Sequence, residues 1–194
     1  MVAWMFENGQ FTTHQFAQRA ATAGYVWAAL ELDDYNNAPR WGDFAIECRQ
    51  KGIKPGVWVT EGAKISTTPA DAELAIAELE GPGDYDGIIT AIDGGTLPSC
   101  PLAVCTNFNV PLTNPQGVPQ PDKAKPLIDA GFTCLTECYL GDNPEATPER
   151  LDYTAKKLGW PATQAVFGVY NALPSRYAQW ADWPGVDYLG EYVL

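Results

Sequence analysis

One pattern restricts the folds open to this chain more than any other. A short apolar run ends in an acidic or amide residue and a turn, and this unit recurs about every 20 to 30 residues. Its clearest instance is Tyr85 to Gly95, YDGIITAIDGG. Apolar runs of this length bounded by turn signals read as buried strands, and the alternation Ile89, Ala91, Asp93 puts the carboxylate on one face at the strand's end.

Taken in order, Trp4 to Glu7 reads as a first strand closed by the Asn8-Gly9 turn. THQFAQRAATAG places Phe16, Ala17, Ala20 and Ala21 at helical spacing, with Gly24 as its stop. In YVWAALELDD, Leu30 and Leu32 share one face while Ala29, Glu31 and Asp33 share the other, so a strand buried on both sides carries acids inward. WGDFAIECRQKG follows as a helix, and IKPGVWVTEG as a third strand ending in Thr60 and Glu61. Thr67-Thr68-Pro69 starts a helix over about Pro69 to Leu79, with Asp71 and Glu73 at the positive end of its dipole. GPGD breaks it, and Asp86 to Asp93 becomes strand four. Only GGTLPSCP separates that strand from LAVCTNFN, less than a normal parallel crossover, so the helix after strand four is expected to be short or absent. DKAKPLIDAG reads as a short helix, FTCLTECYLGDN as strand six with Glu137 near its end, and Pro148 to Leu158 as a helix. ATQAVFGVYN, a short helix over Pro174 to Trp183, and VDYLGEYVL as strand eight complete the chain.

Eight strands separated mostly by helices predict an α/β fold, a compact TIM-type (β/α)8 barrel formed by residues 1–194 as a single domain. An open doubly wound sheet is the alternative; the barrel is preferred because polar strand ends converge only in a closed ring. No helix follows strand eight in this scheme, so Tyr188 or Leu189 would need cover from a partner subunit.

In such a barrel the carboxyl ends of the strands face one pocket. They carry Glu7, Glu31 with Asp33, Glu61, Asp93, Asn107, Glu137 with Tyr139, Tyr170 with Asn171, and Glu191. Crowded carboxylates raise one another's proton affinity, so that one can act as an acid while another stays ionised. Glycoside hydrolysis needs such a pair, about 5 to 5.5 Å apart for retention and about 6.5 to 9.5 Å for inversion. Glu137 and Asp93 are the candidate catalytic pair, with their role order open. Glu31, Asp33, Trp58, Glu61, Asn107, Tyr139, Tyr170 and Asn171 are candidate substrate-binding residues. Seven tryptophans and nine tyrosines could stack on sugar rings. Trp27, Trp41, Trp160 and Trp180 read as packing, whereas Trp58 and Tyr139 fit either role.

The net charge of -12 opposes nucleic acid and anionic membrane surfaces as partners. No apolar run approaches the roughly 18 residues that would span a bilayer, and MVAWMFENGQ lacks the signature of a signal peptide. The expected location is the cytoplasm of the producing cell, without an export address. Five cysteines without a CxxC pair, Cys48, Cys100, Cys105, Cys134 and Cys138, read as mostly buried thiols.

YDGIITAIDGG resembles the strand-four signature of chitinase-type barrel glycosidases, Asp-Gly-apolar-Asp-x-Asp-x-Glu. Asp86, Gly87 and Ile88 match, Asp93 stands at the catalytic acid's position, and Ile89 and Ala91 replace the two further aspartates. The compact helix-strand pattern with GIKPGVWVTEG also resembles small glycoside-hydrolase-like barrels encoded among the tail genes of actinobacterial phages. That resemblance implies a virion tail protein meeting cell-wall glycan alongside other tail subunits. Its alternative is a non-catalytic structural or receptor-binding barrel.

Other chemistries have less support. The single histidine, His14, lies on a helix rather than among clustered zinc ligands. Lys54 begins a strand and Lys64 lies in a loop, neither placed for a Schiff base. YNALPSRY lacks a glycine-rich phosphate loop. No cofactor is implied, although Glu31, Asp33 and Asp93 leave a divalent cation open.

Overall fold

The structure, a computed structural model, describes residues 2–5, 12–22, 24–32, 40–106, 112–138, 148–161, 164–168 and 189–193. Its parallel strands run in chain order around a closed barrel: β1 (Val2–Met5), β2 (Trp27–Glu31), β3 (Lys54–Val59), β4 (Ala75–Glu78), β5 (Leu102–Thr106), β6 (Phe132–Cys138), β7 (Gln164–Gly168) and β8 (Leu189–Val193). β1 pairs with both β2 and β8, which closes the ring. The described helices are α1 (Thr13–Thr22), α2 (Trp41–Gln50), α3 (Pro82–Asp93), α4 (Pro121–Asp129) and α5 (Pro148–Leu158), with a 3₁₀ helix at Gly62–Thr67. This is the α/β TIM-type barrel that the recurring pattern predicts. The expected helix over Pro174 to Trp183 lies outside the described residues.

Two adjacent segments exchange roles relative to the sequence expectation. The predicted helix Pro69 to Leu79 instead contains β4, and the predicted strand Asp86 to Asp93 lies within α3. Leu74, Ala75, Ile76, Ala77 and Leu79 are all buried. A strand covered on both faces loses its polar alternation, and here burial outweighs the helix propensity of Ala, Glu and Leu. In α3, Pro82 opens the first turn and the Asp84 carboxylate accepts the Gly81 N–H at 2.9 Å. Tyr85, Ile88, Ala91 and Ile92 then turn toward the core at helical spacing.

The exchange also moves the short crossover. The helix after strand four is not short or absent: it is α3, 12 residues long. It is β3 and β4 that are joined without an α-helix, through the six-residue 3₁₀ turn. That turn packs tightly on α3, since a Cβ at Gly87 would lie 2.6 Å from the Ala63 side chain.

The apolar interior has two parts. Phe16, Phe44, Leu30, Val57, Ile65, Ile88, Val104 and Leu127 belong to a layer between sheet and helices. Ala29, Trp58, Leu74, Ile76, Ala103, Cys105 and Leu135 form a separate cluster inside the barrel. Odd and even positions of β2 to β6 thus serve different cores, as a strand buried on both faces requires.

Candidate active site at the carboxyl ends of the strands

The register fixes which strand-end residues meet. Glu31 pairs with Trp58, Trp58 with Ile76, Glu78 with Cys105, Cys105 with Leu135, and Glu137 with Val166. Carried once around the ring, these offsets drift by about eight residues, the shear of an eight-stranded barrel, so alternate strands contribute to one level. Positions 31, 78 and 137, from β2, β4 and β6, share a level; Trp58 and Cys105 lie at the level beneath. Three glutamate positions therefore cap the inner cluster at its carboxyl end.

Two of these acids are held by visible partners and packing. Glu78 is half-buried, and its Oε1 accepts the Trp58 indole N–H at 2.6 Å. Glu31 is half-buried with its Oε2 enclosed. Immediately after β4, the Asp84 carboxylate accepts the N–H groups of Glu80 at 3.2 Å, Gly81 at 2.9 Å and Gly62 at 3.2 Å. That one side chain ties the loop carrying Glu78 both to the start of α3 and to the turn after β3.

The residues predicted from sequence separate into groups. Glu31 reaches the inner strand end as expected, and Glu137 lies at position 137 of β6, in phase with Leu135. Trp58 reaches the site but is 1 % exposed, which removes it as a stacking surface for sugar. Glu61 is exposed just beyond β3 and pairs with Lys64 at 3.0 Å. Asp93 is corrected: it is exposed in the last turn of α3, and helices of this fold run antiparallel to the strands, so it lies toward the opposite end of the barrel. With it goes the cation trio of Glu31, Asp33 and Asp93. Among the described residues no group of three or more candidate ligands is gathered. Asp33, Asn107, Tyr139, Tyr170 and Asn171 lie outside the described residues.

Glu78 is the site residue that sequence reasoning missed. Its signal was present: LAIAELEG is an apolar run ending in an acid and a glycine, the same unit that marked the other strands. Its Ala, Glu and Leu content made it look helical.

Packing roles expected for other residues hold. His14 sits on α1, largely exposed, with Nδ1 2.9 Å from Glu47. Trp41 and Trp160 are buried; Trp160 donates its indole N–H to the Phe132 carbonyl at 2.7 Å. Cys48, Cys105 and Cys134 are buried thiols outside any disulfide, and Cys100 is a half-buried one. Burial pushes the Cys48 thiol up to about 12.

No protein-family profile matches the chain, and no curated protein matches it by sequence. Its fold is similar to the crystal structure of a protein assigned, by name only, as a fructose-1,6-biphosphate aldolase of Coccidioides immitis. The TM-score is 0.60 at 12 % identity, covering 99 % of this chain and 73 % of that one. At that identity the likeness shows the barrel fold and nothing of the chemistry. The residues here do not supply carbonyl chemistry of the Schiff-base kind. All the lysines fall among the described residues: Lys51 follows α2, Lys54 begins β3 beneath the Trp27 ring, Lys64 pairs with Glu61, and the others ride on α4 and α5. The comparison and the register together thus give an acidic TIM-type barrel.

Proposed function

We propose that this barrel binds glycan at the carboxyl ends of its strands and hydrolyses glycosidic bonds there. Glu78 and Glu137 form the carboxyl pair, and Glu31 beside them orients water or sugar. One observation carries the reading: three glutamate positions on alternate strands share a level above an apolar floor. Strands two apart are separated by roughly 9 to 10 Å, a spacing that the length of glutamate side chains can reduce to the carboxyl separations glycoside hydrolysis uses.

The residues that carry the chitinase-type resemblance, Asp86 to Asp93, lie in α3, so the choice of Glu78 rests on its place at the end of strand four and on the register instead. From the resemblance to phage tail barrels we place the protein in a virion tail, with cell-wall glycan and neighbouring tail subunits as its partners. Among the described residues no helix is long and apolar enough to cross a membrane. One observation favours a second reading, a barrel retained for assembly or receptor binding: Trp58, the aromatic at the site, is buried and offers sugar no face.

The test is reducing-end release from actinobacterial cell wall and from chitin oligomers. Glu78→Gln and Glu137→Gln are each expected to lose about a hundredfold or more in rate. An equal loss in Asp93→Asn would overturn the choice of Glu78. No release by the wild type, with glycan binding unchanged in the variants, would leave the assembly reading in its place.

A further inference from the structure

We propose that a cavity at the amino-terminal ends of β4 and β5 is a binding site for one neutral sugar ring, on the face of the barrel opposite the three glutamate positions. It stands apart from the glycosidase reading, because none of its residues belongs to the strand-end site. The space follows from a crossover that lacks an α-helix. Where β3 returns to β4 through the 3₁₀ helix, the segment from Thr68 to Ala72 and the loop from Thr96 to Cys100 line a cavity of about 320 Å³. That volume is at the lower end for small-molecule pockets and suits one ring rather than a chain.

The chemistry of the wall selects the ligand. Thr68 donates its hydroxyl to the Ile65 carbonyl at 2.8 Å, Ser66 to that of Ala63 at 3.2 Å and Thr96 to that of Ala91 at 3.3 Å. With their protons so engaged, these three lining oxygens keep acceptor lone pairs for a ligand. Pro69, Leu97 and Pro98 add apolar surface, and among the described residues that line the cavity none is charged. Burial raises the Cys100 thiol, which stays uncharged near neutral pH. A matching ligand is neutral, donates hydrogen bonds and has an apolar face. A pyranose has all three properties, with hydroxyls that donate and a C–H face for proline or leucine. An anion would meet acceptors alone, and a cation would find no opposite charge on the wall. A ring held here tethers the barrel to glycan without occupying the carboxyl ends of its strands.

The experiment titrates the ¹⁵N-labelled full chain with the methyl glycosides of N-acetylglucosamine, glucose and galactose. Amide shifts are followed beside the rate of Cys100 modification by iodoacetamide. At least one glycoside should give saturable shifts centred on residues 68–72 and 96–100, with a Kd on the order of 1 mM, the level one small ring reaches. At ten times that Kd, modification of Cys100 should slow about tenfold by mass action. Thr96→Val, which removes an acceptor and keeps the shape, should weaken binding about three- to tenfold. Ala70→Phe, at an exposed position on the wall, should abolish binding with the rest of the spectrum intact.

Binding by Ala70→Phe equal to the wild type, or Cys100 modification unchanged at saturation, would overturn the site. Tighter binding of glucuronate or glucosamine than of every neutral glycoside would overturn the choice of a neutral ligand. Shifts confined to the surroundings of Trp58 and Glu78 would overturn this site while supporting the glycosidase reading. No shift with any glycoside overturns this site alone, since the glycosidase reading is judged on reducing-end release. A protein without hydrolysis that keeps the shifts at residues 68–72 and 96–100 refutes that reading and supports this one.

Discussion

Trp58 and Trp41 each donate an indole N–H to a carboxylate, to Glu78 at 2.6 Å and to Asp71 at 2.7 Å, in opposite surroundings. The outer pair joins α2 to the turn before β4. There Asp71 is more than half exposed and also takes Arg49 at 3.1 Å, with Glu73 a further 3.7 Å contact of the same guanidinium. Solvent and a fixed cation neutralise that carboxylate, so it braces the surface. The inner pair sits inside the ring, where Trp58 is sealed and Glu78 shares a level with Glu31 and position 137. The same donor and acceptor types thus make a solvent-facing brace in one place and an enclosed contact at the strand ends in the other, because burial differs.

The sharpest way to break the comparison is to remove the rings. Trp58→Ala should destabilise the protein by about 3–5 kcal/mol in urea unfolding, since the site is enclosed and cannot collapse. Trp41→Ala should cost less, its indole lying at the edge of the core; the opposite order would show the inner ring to be the looser one. Next in size, Glu78→Gln should slow glycan hydrolysis about a hundredfold while Asp71→Asn leaves it within about twofold, measured by reducing-end release. Equal effects would erase the functional difference between the pairs.

Smaller effects test the scaffold between them. Gly87→Ala should cost about 1–3 kcal/mol, because the added methyl meets Ala63 and pushes the 3₁₀ turn off α3. If its unfolding midpoint matches the wild type, the close approach is not a constraint. For the outer pair, the Trp41 hydrogen bond and then Arg49 hold the Asp71 carboxyl below its ordinary value of 3.8. A depressed carboxyl contributes stability that is present above the unfolded value and lost as pH falls through the folded one. The melting-temperature difference between wild type and Asp71→Asn should therefore be about 1–3 °C near pH 6 and shrink toward zero as the solution is acidified below 3.8. A difference that grows on acidification would reverse the sign of the argument. Smallest of all, Cys48 should resist alkylation in the native state at pH 8 while half-buried Cys100 reacts slowly; mass spectrometry after iodoacetamide treatment checks the order.

Much of the scaffold was legible because its signals are local. Gly24 marked the end of α1, Pro148 the start of α5, and the alternation Leu30, Glu31, Leu32 the two buried faces of β2. The exchange at positions 69–93 shows where local signals fail. ELAIAEL has the composition of a helix, and DGIITAID that of a strand. Each segment adopts the other form because of what covers it: β4 is enclosed between β3, β5 and two cores, and α3 lies on the 3₁₀ turn with one side exposed. Tertiary burial overrode propensity in both.

The sequence by itself determined the barrel class, the inward acid on β2 and the placement of Glu137 at the end of β6. These follow from periodicity and turn chemistry, which act over a few residues. Only the tertiary structure decided that Glu78, rather than Asp93, closes strand four, that Glu31, Glu78 and position 137 share a level, and that Trp58 is a buried hydrogen-bond donor instead of a sugar platform. Those facts depend on register around a closed ring and on enclosure by distant strands, quantities that no short stretch of chain contains.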